Sequence, residues 1–113
     1  MENINKLFEK NKIIYANQYN WNGGTPIAIG WVGTKEGLWQ SAIIKIEYIK
    51  QKSNKKCIVK INDNKIVTLK NTNHYVITDN SHVLYTIEKN HIFKDKKDAM
   101  EWIKKEYPAE HLT

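Results

Sequence analysis

The sequence predicts an α+β, β-rich fold: an antiparallel meander or small, partly closed barrel of about six or seven strands, with a short N-terminal helix and a C-terminal helix packed on the sheet. Three patterns point there. Apolar and polar residues alternate along short stretches, with Ile44, Ile46 and Tyr48 on one face against Lys45 and Glu47 on the other, and Cys57, Val59 and Ile61 repeat the pattern. Polar turns separate these stretches about every 8 to 12 residues, the rhythm of an up-and-down sheet. Only the two ends carry helical spacing.

At the start, Ile4, Leu7, Phe8 and Asn11 fall at i, i+3, i+4 and i+7, which predicts one or two amphipathic helical turns. Residues 12–19 (KIIYANQY) read as a strand. Paired glycines and a proline make 20–26 (NWNGGTP) a loop, and 27–32 (IAIGWV) reads as a second strand. Segment 33–37 (GTKEG) lies between two Trp-containing apolar runs and suits a tight hairpin. Residues 38–50 then form one strand, far longer than the usual length of about 5 to 6, so a bend or bulge is expected near Gln40 to Ala42. Downstream, 51–56 (QKSNKK) and 62–65 (NDNK) are turns around the strands 57–61 and 66–69. TNH (72–74) and TDNS (78–81) bound YVI and HVLYTIE. In the tail, Asp95 suits an N-cap with Asp98 three residues on, and Ala99, Trp102, Ile103 and Tyr107 recur at helical spacing until Pro108. That helix should bury Trp102 and Ile103 against a face or open end of the sheet.

The chain has 113 residues, 41% of them apolar, enough for one domain whose core needs no disulfide or metal staple. A single cysteine, Cys57, excludes an internal disulfide and supplies at most one ligand of a zinc site. No apolar run reaches the roughly 18 to 20 residues of a membrane span. The opening MENINKLFEK lacks the basic-then-apolar order of a signal peptide, so a soluble, cytoplasmic protein is expected, in the host cytoplasm if a phage encodes it. Lys (18), Ile (16) and Asn (13) are abundant and Arg is absent, the mark of an AT-rich coding sequence. Without guanidinium forks, any bound anion is held by ammonium groups, amides and backbone N–H donors.

The formal charge of +6 is not spread evenly. Lys45, Lys50, Lys52, Lys55, Lys56, Lys60, Lys65 and Lys70 face only Glu47 and Asp63 between residues 45 and 70, which accounts for the whole excess. A basic surface of this kind gathers polyanions and speeds their encounter. Lysine-rich turns also keep proteins soluble and stop edge strands from pairing, the plainer explanation of the same residues.

All five glycines and Trp21, Trp31 and Trp39 fall between residues 21 and 39. Trp31 and Trp39 suit a cross-strand aromatic pair in the core, with Gly30 easing close backbone approach. Tyr19, Trp21, Asn22, Gly23 and Gly24 instead form an aromatic, glycine-rich loop fit for a partner contact. The glycines match neither a P-loop nor a dinucleotide fingerprint. Catalytic patterns are equally scarce: His74, His82, His91 and His111 show no metal-ligand spacing, no GxSxG element occurs, and Cys57 alternates with core residues as a packed thiol would. His74, His82 and Asp79 are the group that an enzyme would have to bring together.

The expectation is therefore a non-enzymatic, small basic binding protein without a cofactor. Its partner would be nucleic acid, a nucleotide or a nucleoprotein complex, met by Lys45, Lys50, Lys52, Lys55, Lys56, Lys60 and Lys65. In length and composition the chain looks like the accessory proteins of phages and other mobile elements, which implies an anti-defence role. The alternative is a protein–protein inhibitor, immunity protein or antitoxin, with the loop at Tyr19 to Gly24 as its hot spot and the lysines steering it to an acidic partner. No membrane partner is expected, and a homodimer through an edge strand such as 38–50 is a further expectation.

Overall fold

The computed structural model describes residues 3–17 and 43–106. Within them, seven antiparallel strands form one curled sheet, a half-barrel. The strands are β1 (Ile13–Asn17), β2 (Ile43–Gln51), β3 (Lys56–Ile61), β4 (Lys65–Asn71), β5 (Tyr75–Asp79), β6 (His82–Ile87) and β7 (Ile92–Phe93), in the spatial order β6-β5-β4-β3-β2-β1-β7. A 3-10 turn, Ile4–Phe8, precedes the sheet and one helix, α1 (Lys96–Glu106), follows it.

Topology forces the curl. In a flat sheet, β6 and β7 would lie six strand spacings apart, about 29 Å. The chain from Ile87 to Ile92 spans at most about 18 Å, so the two edges must be drawn toward each other. Register agrees. β1 pairs with the first half of β2 (Ile13↔Glu47, Asn17↔Ile43), whereas β3 pairs with its second half (Ile46↔Ile61, Gln51↔Cys57), and β5 pairs only with the end of β4. A stagger that runs one way across the strands is what tilted barrel strands require.

The alternation read from the sequence lines the concave side. Ile14, Ile44, Ile46, Cys57, Val59, Ile61, Val67, Leu69, Ile77 and Ile87 are buried there. Removing such side chains from water is worth roughly 1.5 to 3 kcal/mol each, the main force holding the sheet. One end of the half-barrel is closed by the 3-10 turn, whose Ile4 and Phe8 are buried and whose Phe8 ring packs 5.0 Å from that of Tyr48. The other end is closed by α1. Ala99 and Ile103 are fully buried there, and the buried Asn17 amide donates to the Ala99 carbonyl at 3.5 Å. Trp102 is half-buried, stacked at a tilt on His91 (4.6 Å) and Phe93 (5.9 Å).

Most expected elements within the described residues stand where the pattern put them, with five differences. β5 runs through Thr78 and Asp79, two residues of the expected turn 78–81. The N-terminal element is a 3-10 turn and leaves Asn11 exposed. The strand read at 66–69 extends over Lys65–Asn71. The long strand is irregular at Ile49, where the register shifts between Tyr48 and Lys50, while the site expected at Gln40 to Ala42 lies outside the described residues. β7 had no signal: two residues cannot show a period, and its partner β1 is remote in sequence. The described part of 38–50 is not an edge either, because β2 has β1 and β3 on its two sides. Among the described residues the edges are β6 and β7, so residues 43–50 offer no open strand edge. The loop 20–26, the strand 27–32, the hairpin 33–37, Trp31, Trp39, Tyr107, Pro108 and His111 also lie outside the described residues. No helix among the described residues is long and apolar enough to cross a membrane.

Candidate functional site

In an up-and-down sheet, alternate turns fall at the same end. The turn 62–64 and the β5–β6 hairpin at Asn80–Ser81 lie at one end. The turn 52–55, the turn 72–74 and the start of the link after β6, at Glu88 and Lys89, lie at the other, beside the 3-10 turn; the link then crosses to His91 at the α1 end, where its carbonyl accepts from the Asn17 N–H. This sorting divides the eight central lysines.

At the first end Lys45 and Lys65 are paired with carboxylates, and Lys60 stands opposite one across the ladder. Lys45 Nζ lies 2.8 Å from Asp63 Oδ1, and that hydrogen bond holds the ammonium above its ordinary pKa. Lys65 Nζ lies 3.0 Å from Asp79 Oδ2. Lys60 is the cross-strand partner of Glu47. These three were expected in the basic surface; they stand apart from it because each has a carboxylate within its own hairpin or ladder.

Lys50, Lys52, Lys55, Lys56 and Lys70 gather at the second end, and among the described residues no carboxylate forms an ion pair with any of them. Lys56 and Lys70 are direct cross-strand partners, both projecting from the convex face because Cys57 and Leu69 beside them point inward. Like charges so placed, about 5 Å apart at Cβ, repel and destabilise the ladder. Lys50 joins them through the bulge. Counting in twos from Tyr48, which faces in, would turn Lys50 inward. The extra residue Ile49 restores Lys50 to the outward side opposite Ile58, diagonal to Lys56. Re-aiming a side chain is a known use of a bulge.

The lysine-bearing turn is held firmly. Lys52 and Ser53 N–H both donate to the Lys56 carbonyl, at 3.1 and 2.9 Å, and Lys55 N–H donates to Ser53 Oγ. From the other side, the Ile4 N–H donates to the Asn54 carbonyl at 2.8 Å, Asn3 Nδ2 to Asn54 Oδ1, and Asn5 Nδ2 to the Ser53 carbonyl. Tyr48 completes the clamp by donating its hydroxyl to Asn5 Oδ1 at 2.9 Å. Burial raises the phenol's pKa and keeps it a donor.

Three lysines outside the central stretch join this end. Lys6 is exposed on the 3-10 turn, Lys12 Nζ lies 4.8 Å from the centroid of the Tyr48 ring, and Lys89 Nζ lies 5.6 Å from that of Tyr75. Glu9 and Glu88 are exposed acids here, and Glu88 Oε1 is 3.3 Å from His74 Nε2. Sequence position hid Lys6, Lys12 and Lys89, yet the meander itself carried a signal for Lys89: its link follows β6 and must return to the end where the turn 52–55 lies.

The group His74, His82 and Asp79 does not converge. His74 precedes β5 and bonds Glu88, while Asp79 and His82 face each other at the far end of that strand and Asp79 is held by Lys65. Burial pushes the Cys57 thiol up to about 12, so it stays protonated and unreactive. Among the described residues no three His, Cys, Asp or Glu side chains gather as metal ligands would. The expected contact loop of Tyr19, Trp21, Asn22, Gly23 and Gly24 lies outside the described residues. Compared with known proteins, the chain matches no family model, no curated protein and no solved structure.

Proposed function

We propose that the protein is a non-enzymatic binding protein that holds nucleic acid by its phosphates, on the surface formed by Lys50, Lys52, Lys55, Lys56 and Lys70. What supports the reading is one observation above all: Lys56 and Lys70 are fixed opposite each other in β3 and β4 without a carboxylate between them, beside the turn 52–55 that the N-terminal segment clamps. Lysines kept only for solubility gain nothing from such a placement, since repulsion costs stability and spreading them would serve equally well. A polyanion relieves the repulsion. Ammonium groups act as point charges and read no bases, so binding is expected to depend on phosphate count and salt far more than on sequence. A protein of this kind suits the accessory sets of phages and mobile elements, where it would act against host defence by occupying nucleic acid or a nucleoprotein complex.

Fluorescence anisotropy with a labelled duplex of about 20 base pairs tests it. Five phosphate contacts give a slope of log affinity against log salt of about −4 to −5. The Lys52→Glu, Lys55→Glu, Lys56→Glu triple variant should lose affinity by at least about tenfold while keeping its fold by circular dichroism. Binding that is indifferent to salt, or that survives the triple variant, rejects the reading.

A further inference from the structure

Of the two sheet edges among the described residues, β6 is the longer, with six residues against the two of β7. Its outer side carries a row of peptide groups that no described strand pairs, a template on which another strand can form. Edge strands are commonly guarded by lysine or proline, and β6 (HVLYTI) holds neither, nor any carboxylate. Around it, Asp79 is paired with Lys65 and Glu88 lies beside His74. Val83 stands 61% exposed on this strand.

The strand also carries a bulge. Ile77 faces Tyr85 and Thr78 faces Val83, so Leu84 is an extra residue. It makes two successive side chains, Leu84 and Tyr85, pack on the core, while exposed Val83 and Thr86 flank them on the outward side, opposite Thr78 and Val76. A bulge often blunts an edge, but this one leaves a pattern that reads the same in both directions: outward, inward, inward, outward. That is the condition for pairing with itself. Antiparallel strands about a two-fold axis set position 83 opposite 86 and 84 opposite 85, and each opposed pair then falls on one face of the sheet. Without the bulge, the same axis would set outward residues against inward ones.

We infer that β6 is a dimerisation edge whose occupant is β6 of a second copy of this chain, in antiparallel register, with Val83 opposite Thr86 of the partner subunit. The inference does not depend on the nucleic-acid reading. A molecule with a formal charge of +6 meets its own copy most easily across a surface without a row of like charges, and β6 is such a surface. Lys50, Lys56 and Lys70 sit on β2, β3 and β4, so pairing at β6 leaves them open. Six residues a side fall well short of the roughly 20 to 30 of a standard interface, which makes the dimer a transient one. Its dissociation constant should be on the order of 10 μM or weaker.

Sedimentation velocity of the full chain between about 5 and 500 μM gives the test. The weight-average mass should rise with concentration from 13.3 kDa toward twice that value. Val83→Lys with Thr86→Lys sets ammonium groups opposite each other at two places across the axis, and should weaken the dimer by at least about tenfold. Val83→Lys with Thr86→Glu sets an ammonium opposite a carboxylate at the same two places, and should dimerise within about threefold of the parent. Both positions are exposed, so circular dichroism should report one fold for all three proteins. A chain that stays monomeric throughout the range overturns the inference, and protection of the 83–87 amides from hydrogen exchange in that monomer would assign the edge to another segment of the chain. A dimer that the double lysine variant leaves intact also overturns it, by moving the contact to another surface. Equal weakening in both double variants overturns the register, and with it the self-pairing.

Discussion

Cys57 illustrates how one side chain couples burial to pH. It is fully buried at the centre of the sheet, and loss of solvation raises its pKa from 9.0 to about 12. The unfolded chain ionises this thiol first, so the folded state gains full benefit below pH 9 and loses it progressively between about 9 and 12, where the unfolded state binds fewer protons. Urea midpoints should fall across that window, and Cys57→Ala should flatten the fall. A thiol reagent at neutral pH should label the unfolded chain only. Ser81 is a second informative position. It lies at φ 73 in the β5–β6 hairpin, beside Asn80 at φ 48, as a two-residue turn of mirror-image type demands. Asparagine tolerates this region and serine does so less well. Ser81→Gly should therefore add about 1 kcal/mol of stability, read as a higher thermal midpoint; an unchanged midpoint would mean that the Ser81 hydroxyl bond to the Asn80 carbonyl already offsets the strain.

The pairing of β3 with β4 carries the conflict between stability and binding. Two inward pairs along it are apolar, Cys57 with Leu69 and Val59 with Val67, whereas Lys56 and Lys70 meet on the outside. Lys56→Glu converts that repulsion to attraction and should stabilise the fold by about 0.5 to 1 kcal/mol at low salt. The same change should weaken duplex binding and reduce the salt slope by about one unit. Opposite signs in the two measurements are the signature of a ladder position kept for a ligand; a variant that is both more stable and equally tight would assign Lys56 to solubility. The bulge in β2 belongs to the same account. Tyr48 and Gln51 both take inward register positions, opposite Val59 and Cys57, and only the inserted Ile49 lets Lys50 face outward between them.

Across the molecule, the strands of the meander were readable because half-burial writes a period of two into the chain, and α1 because Ala99 and Ile103 share one helical face. The charge map was readable only in part. Counting lysines between 45 and 70 found the excess, yet it could not tell Lys45 and Lys65 from Lys52 and Lys56, since that depends on which end of the sheet a turn occupies and which carboxylate sits across the ladder. The N-terminal turn shows the same limit. Its apolar residues announced a helix, but its role as the clamp on residues 53 and 54 rests on Asn3 and Asn5, polar residues whose partners lie far along the chain. Contacts of that kind leave no local pattern. The shallow recess lined by Asn3, Ile4, Lys6, Leu7, Asn71 and Tyr75 shares this origin, being assembled from two segments that meet only after the sheet has curled.

The seating of β1 between β2 and β7 has a consequence for biosynthesis. The strand that covers the second side of β1 arrives only with Ile92 and Phe93, after five further strands have left the ribosome. Until then Tyr15 and Ala16 present bare peptide groups to solvent, and any nascent chain that stalls before that point offers a sticky margin to its neighbours. Rapid completion of translation is thus a condition for a clean yield, and a premature stop just upstream of Ile92 should send the product to inclusion bodies.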